Sequence, residues 1–312
     1  MHSGIHLLGQ DRPDLYEGGN PEEFSDLHPA WRRDMAALAP WARLESPDVV
    51  PGETTLLWQG RTPEGTGTLL ACRACASSQD AAFALVQTGA LPLWGGLVAG
   101  VQSSGRGQLR RVWVSGPGNV HLSVRWPLPF GADQAWNPIL SLAVGSALAE
   151  ALNGMDVPVQ LKWPNDILWQ EHKVGGVLLE DRAGELVVGI GLNLDLAPPV
   201  EALREGHAVP AASFRDMGSN YSPLTLAWAL VNRMQISYLN TLRRTAPNDF
   251  LHSLSCRLAW MGRMVCLDHG QERVCGTMQG LAGDGGLILL TGEGSRVFHS
   301  GSVTPVERVR GI

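Results

Sequence analysis

The sequence predicts an α/β fold of the α+β type: a mixed β-sheet with helices packed on it, followed by a small all-β domain. Three observations lead there. Short apolar or alternating runs at 66–73, 97–104, 120–126, 159–163, 175–179 and 185–194 are interleaved with longer stretches of helical period at 140–152 and 223–244. From about residue 258 the pattern changes to short strands separated by Gly-rich turns, the mark of a small barrel. The 312 residues are 44% apolar and 17% charged, a core-forming composition.

Taken in order, residues 1–63 are rich in Pro, Asp, Glu, Gly and Trp, and read as an N-terminal extension with one helical piece at 29–41. No pair of amphipathic helices with a basic second member is visible there, so no helix-turn-helix is expected. Residues 66–73 form a strand. Ser77 and Ser78 then cap a helix, Asp80 sits in its first turn and Gly89 stops it. A strand at 97–104 leads into a loop rich in Gly and Arg, 105–118. Val120, Leu122, Val124 and Trp126 alternate as a half-buried strand. Asn137-Pro138 opens the helix that Leu140, Val144, Leu148 and Leu152 continue to Gly154. Strands follow at 159–163 and 175–179, and 185–194 reads as a buried strand. Ser222-Pro223 opens a helix to about Arg244, and strands at 264–267, 273–278, 287–290 and 297–299 close the chain. The expected division is an extension 1–63, a main domain 64–255 and a small β domain 256–312.

Several function classes are set aside by composition. Lys plus Arg number 24 against 30 Asp plus Glu, a net charge of −6, which disfavours binding to nucleic acid. No apolar run reaches the ~18–20 residues of a membrane span. The N-terminus lacks a basic stretch followed by an apolar one, so no secretory signal and a cytoplasmic location are expected. The five cysteines are accordingly read as reduced thiols, Cys72 and Cys75 as a structural pair. The P-loop, the GxGxxG fingerprint, HExxH and GxSxG are all missing from the sequence.

Two segments have unusual chemistry. The stretch 102–113, QSSGRGQLRRVW, places Gly105 and Gly107 where backbone N–H groups can approach an anion, and Arg106, Arg110 and Arg111 add guanidinium groups suited to phosphate or carboxylate. Such a loop can be ordered by its ligand. The second segment is KWPND, 162–166, followed by KVGGVLLE, 173–180. Trp163 precedes proline and so takes an extended or turn geometry. Asp166 and Lys173 then flank one turn, and Gly175-Gly176 permits close approach to the backbone.

Together with Gly189-Ile190-Gly191-Leu192-Asn193 and the patch Ser77-Ser78-Gln79-Asp80, these segments resemble biotin protein ligase, the biotin–[acetyl-CoA-carboxylase] ligase family, in motif order and spacing over roughly residues 70–200. The resemblance implies a catalytic domain with a C-terminal SH3-like barrel. It also implies two half-reactions: ATP converts biotin to biotinyl-5′-AMP, and a lysine of a biotin carboxyl carrier protein then takes the biotin. Lys173, Arg106 and Asp166 are its implied catalytic residues, with Asp166 either orienting Lys173 or receiving the carrier lysine's proton. Biotin falls to Ser77, Ser78, Gln79, Gln102, Arg106, Gly107, Gln108, Lys173 and Gly176. ATP falls to Arg111, Trp113, Asn165, Asp166, Gly191 and Asn193. Mg²⁺ assists on the phosphates, with no protein metal ligands assigned.

Gln108 stands where the family's loop has its second Arg, and Arg110 where it has its third Gly. The chain also lacks a recognisable N-terminal DNA-binding domain, so the resemblance is to the monofunctional type, with no DNA or membrane partner and with room for a homodimer paired through sheet edges. Two alternatives remain on sequence alone. One is a lipoate or octanoate ligase of the same fold; the other is a non-catalytic regulator that binds biotin or nucleotide.

Overall fold

The computed structural model describes residues 3–50, 53–108, 111–128, 134–198 and 209–306. The chain divides into two compact units. The first takes residues 1–128, 175–197 and 212–235; the second takes 129–174, 198–211 and 236–312.

In the first unit, the apolar runs assemble one mixed sheet. Its strands are β1 (Gly4–Leu8), β2 (Tyr16–Glu17), β3 (Ala42–Val50), β4 (Glu53–Gln59), β5 (Thr68–Cys75), β6 (Gly96–Gln102), β7 (Val120–Trp126), β10 (His172–Arg182, from Gly175 onward) and β11 (Glu185–Leu192). They lie in the order β3-β4-β1-β5-β6-β7-β11-β10, with β2 paired to β5. The β1–β5 and β5–β6 pairs are parallel and the others antiparallel. Helix α3 (Ser78–Gln87) presents Ala81, Ala82, Phe83, Leu85 and Val86 to β6, β7 and β11. These side chains join Leu8, Leu70, Leu97 and Val187 in one buried cluster. Removing that much apolar surface from water, at ~25 cal/mol per Å², is what holds the helix on the sheet.

This arrangement corrects the reading of residues 1–63 as an extension. Strand β1 lies between β4 and β5, bonded to both, so the segment is built into the sheet. The helical piece expected at 29–41 is α2 (Pro29–Ala37), and a helix the sequence did not suggest, α1 (Pro21–Leu27), precedes it. Asn20 caps α1 through a capping box with Glu23, and His28 caps α2.

Asp34 of α2 is fully buried. It accepts hydrogen bonds from Ser222 Oγ (2.6 Å), Leu224 N (2.7 Å), Thr225 N (3.1 Å) and Thr225 Oγ1 (2.6 Å), capping the start of α5 (Pro223–Arg244) from another element. Burial pushes its carboxyl above the usual range, and these four donors pull against that. Asp34→Ala strands those donors in the interior. It is expected to cost about 2–4 kcal/mol, read from urea unfolding, and a cost under ~1 kcal/mol would show the donors finding other partners.

His121 of β7 is buried and neutral, with Nε2 donating to the Gly116 carbonyl at 3.0 Å. Burial holds its pKa down at about 4, against an ordinary 6.5. Because the folded value is the lower one, the stabilisation is present in full above pH 6.5 and is lost as pH falls from 6.5 towards 4. That interval corresponds to ~3 kcal/mol at about 1.36 kcal/mol per pH unit. Unfolding free energies measured across it should rise with pH in the native protein and flatten in His121→Gln.

The second unit contains a 3-10 turn (Gln134–Ile139), α4 (Leu140–Asn153), the hairpin β8 (Gln160–Lys162) and β9 (Asp166–Trp169), and α6 (Pro247–Ser255). It also holds five antiparallel strands: β12 (Met264–His269), β13 (Glu272–Leu281), β14 (Leu287–Thr291), β15 (Gly294–Phe298) and β16 (Ser302–Pro305). Their order is β15-β14-β13-β12-β16, the small β domain the Gly-rich turns predict. The boundary expected at 256 is not where the chain divides, because this sheet groups with α4, the β8–β9 hairpin and α6. The reading of all cysteines as reduced is corrected too. Cys266 and Cys275 face each other across β12 and β13 and are joined as a disulfide, whereas Cys72, Cys75 and Cys256 are free.

Candidate functional site

In the first unit the chain turns from β5 into α3 at Ala76-Ser77, which brings a row of polar side chains against the sheet. Ser77, Ser78 and Gln79 are all buried. The Ser78 backbone N–H donates to Gln102 Oε1 at 2.7 Å, and the Ser78 and Ser123 hydroxyls are 2.8 Å apart. Gln102 Nε2 donates to Ser115 Oγ at 2.9 Å, and Gln79 Nε2 donates to the carbonyls of Leu178 (3.2 Å) and Val187 (3.3 Å). Ser77 makes no side-chain cap bond, so its expected capping role is not seen. Four sequence-selected residues therefore share one polar wall. Ser123 belongs to it as well; it was missed because it lies in the alternation of β7 and reads as an ordinary sheet position.

The described residues of the Gly- and Arg-rich stretch, 105–108 and 111–113, are paired with each other. Gly107 N donates to Arg111 O at 2.8 Å, Trp113 N donates to Gly105 O at 2.9 Å, and Arg106 pairs with Val112. A Cβ on Gly105 would lie 2.4 Å from Ser115 Oγ, so only glycine fits there. Arg110 falls outside the described residues. The indole of Trp113 packs on β11 where a Cβ at Gly191 would sit 2.4 Å from its ring, and Gly191 pairs with Gly176 of β10. Two residues earlier, a Cβ on Gly189 would sit 3.0 Å from the Gln79 side chain. The Gly-x-Gly of β11 thus keeps one face of the strand bare for two incoming side chains. Asn193 is buried and donates to the Ala212 carbonyl at 3.2 Å.

Arg106 is held by carboxylates. Its Nη1 and Nη2 donate to Asp80 at 2.6 and 2.8 Å, and Nη2 reaches Glu180 at 3.4 Å. Arg182 bridges the same two acids, at 2.6 Å to Asp80 and 2.7 Å to Glu180, with its guanidinium carbon 4.2 Å from the centre of the Phe83 ring. The hydrogen bonds from Arg106, followed by those from Arg182, hold the Asp80 carboxyl down at about 2 despite partial burial.

In the second unit, the turn Trp163-Pro164-Asn165 closes the β8–β9 hairpin and sets Lys162 opposite Asp166. Asp166 Oδ2 accepts from Lys162 Nζ at 2.7 Å, and Oδ1 lies 2.5 Å from Lys173 Nζ. The side chains are 5% (Lys162), 14% (Asp166) and 32% (Lys173) exposed. Burial pushes the Asp166 carboxyl up, but the charges of the two lysines and their hydrogen bonds outweigh it and leave the group well below the usual carboxylate range. The Lys173 backbone donates to Pro210 O at 2.7 Å, and the Trp163 indole N–H donates to Gly285 O at 3.0 Å. Asn165 is half-buried in the turn. The three charged groups carry a net +1 in a poorly solvated place, which suits the recognition of anions. Among the described residues, no group of three His, Cys, Asp or Glu side chains is placed to hold a metal ion.

Residues 93–196 match the model of the biotin/lipoate A/B protein ligase family. The chain is 30% identical over 221 residues to a biotin–[acetyl-CoA-carboxylase] ligase of Paracoccus denitrificans, covering 66% of this chain and 88% of that protein. It is 28% identical over 214 residues to the bifunctional ligase/repressor BirA of Escherichia coli K12, covering 66% of this chain and 65% of the relative. The chain thus spans less than two thirds of the length of that bifunctional protein. Among solved structures, the biotin protein ligase of Aquifex aeolicus in complex with biotin and ATP superposes with a TM-score of 0.60 at 28% identity, over 76% of this chain and 97% of that one.

Proposed function

Because the chain belongs to the biotin/lipoate protein ligase family, we propose that it is an ATP-dependent, AMP-forming biotin–[acetyl-CoA-carboxylase] ligase acting on a biotin carboxyl carrier protein in the cytoplasm. One observation carries the reading: two lysines converge on the single, nearly buried carboxylate of Asp166. That set suits a reaction in which two anions must meet.

In the first half-reaction a biotin carboxylate oxygen bonds to the α-phosphorus of ATP while the bond to the β-phosphate oxygen breaks and pyrophosphate leaves. Lys173 neutralises the charge that builds on the carboxylate and α-phosphate oxygens, and Arg106 is assigned to anion binding as well. Ser77, Ser78, Gln79 and Gln102 face the ureido ring, while Gly107 and Gln108 close over it and Gly176 keeps the strand open. Arg111, Trp113, Asn165, Gly191 and Asn193 serve the nucleotide. In the second half-reaction the carrier lysine's neutral amine nitrogen bonds to the acyl carbon, the bond to the phosphate oxygen breaks, AMP leaves, and the nitrogen's proton is released to solvent. A carboxylate held as low as Asp166 is a weak proton acceptor, so its role is to orient Lys162 and Lys173, not to deprotonate the incoming amine.

The test is biotin-dependent exchange of pyrophosphate into ATP, with lipoate as control, followed by AMP release on adding carrier. Exchange with biotin alone is the expected result. Exchange with lipoate alone would move the chain to lipoate chemistry, and stoichiometric ligand binding with no AMP release would make it a regulator.

A further inference from the structure

Four charged side chains from three separate segments meet in the first unit: Asp80 of α3, Arg106 of the loop, and Glu180 and Arg182 of β10. Their formal charges cancel. Arg106 and Arg182 each reach both acids, so each carboxylate is shared by two guanidinium groups. The Arg182 guanidinium is itself seated over the Phe83 ring, and Phe83 is buried in the face that α3 packs on the sheet. The sharing has a geometric consequence. Asp80 engages Arg106 through both of its terminal nitrogens, a fork-to-fork pairing that fixes the plane of the guanidinium as well as its position. Arg182 in turn fixes Asp80, so the fork cannot swing without breaking a second pair.

We propose that Asp80, steadied by Arg182, is a positioning residue that sets the orientation of Arg106 for the incoming carboxylate or phosphate. Asp80, Arg106 and Glu180 each stand in a motif segment quoted above; the pairing that joins them, completed by Arg182, is what those segments do not show by themselves. Asp80 ties the Arg106 loop directly to the helix turn that carries Ser77, Ser78 and Gln79, so the anion clamp and the polar wall keep one register. Holding an arginine before the ligand arrives lowers the ordering cost of binding, so the effect falls on ligand affinity. The claim that Asp80 holds Arg106 concerns the empty protein. The claim that this matters for ligand rests on the ligase reading given above.

The experiment has two arms. In the first, ligand-free protein is treated with trypsin and the cut after Arg106 is followed by mass spectrometry. Asp80→Asn is expected to speed that cut about tenfold with the thermal midpoint little changed, and Asp80→Glu is expected to restore part of the protection. An unchanged rate in Asp80→Asn overturns the proposal whatever the protein's activity. In the second arm, pyrophosphate exchange in Asp80→Asn is expected to show a KM for biotin raised about tenfold with kcat within about threefold. The same substitution made in an Arg106→Ala background should then add less than twofold. Full additivity, or a fall in kcat alone, overturns the positioning role while leaving the ligase reading intact. Absence of exchange in the unsubstituted protein would instead strike the ligase reading, with the first arm still deciding whether Asp80 holds Arg106. Should Asp80→Asn fold poorly, Arg182→Gln keeps the Asp80–Arg106 pair but frees Asp80 on one side, and about a threefold change in the same direction is expected in both arms.

Discussion

Lys173→Ala is expected to slow biotin-dependent pyrophosphate exchange by about 10²–10³-fold, the cost of removing one preorganised cation from a site where negative charge concentrates. The loss should fall on kcat, because the charge it offsets is greatest when the carboxylate and α-phosphate oxygens approach each other. Lys173 is about one third exposed, so its removal should move the thermal midpoint by only a few degrees. Lys173→Arg should recover little, since a planar fork does not reproduce a compact ammonium 2.5 Å from Asp166. Exchange within about threefold of the unsubstituted rate would remove Lys173 from the reaction.

The second large effect is on stability. Asp166→Asn leaves the Lys162 ammonium, whose side chain is 5% exposed, without its counter-charge, and is expected to cost about 3–5 kcal/mol in urea unfolding. Adding Lys162→Met, which fills the same space without charge, should return most of that loss, because an apolar replacement of a buried pair is often close to neutral. The acid limb tests the same pair. The Asp166 carboxyl is depressed in the folded state, so its contribution is complete above the ordinary carboxylate range of ~3.9 and disappears as pH falls towards the lower folded value. The double variant should lack that part of the acid dependence. Equal acid slopes in the two proteins would show the stability to come from elsewhere.

What the sequence made legible was local. Lys162, Asp166 and Lys173 lie within twelve residues on a hairpin and the strand after it, so their convergence follows from the turn at Trp163-Pro164-Asn165. Gly189 and Gly191 sit two apart on a strand, and period two alone puts them on one face. The pairings that were not legible are long-range. Asp80 and Arg182 are 102 residues apart, and nothing in either segment marks the other. The N-terminal strands were hidden for a different reason. Pro47 in β3 reads as a strand breaker, yet it falls where the β3–β4 register shifts between Ser46 and Val50, so the ladder absorbs it. Strand β1, Gly4–Leu8, is five buried residues with a histidine in the middle and no clean alternation, too short to separate from a loop. The disulfide did carry a signal: the β12–β13 turn is centred between Gly270 and Gln271, which sets Cys266 directly opposite Cys275. The cysteine count, read as a sign of compartment, concealed it.

The placement of β1 limits how the chain can be cut down. A catalytic fragment begun at residue 64, where the composition changes, would lose the strand that runs beside β5. The backbone of Thr68–Cys75 would then be an open edge, with mainly apolar side chains along it. The same deletion would remove Asp34 and leave the first turn of α5 uncapped. Such a fragment should form inclusion bodies or pair edge to edge. A fusion partner or affinity handle is therefore better attached ahead of Ser3 than substituted for the segment that follows it.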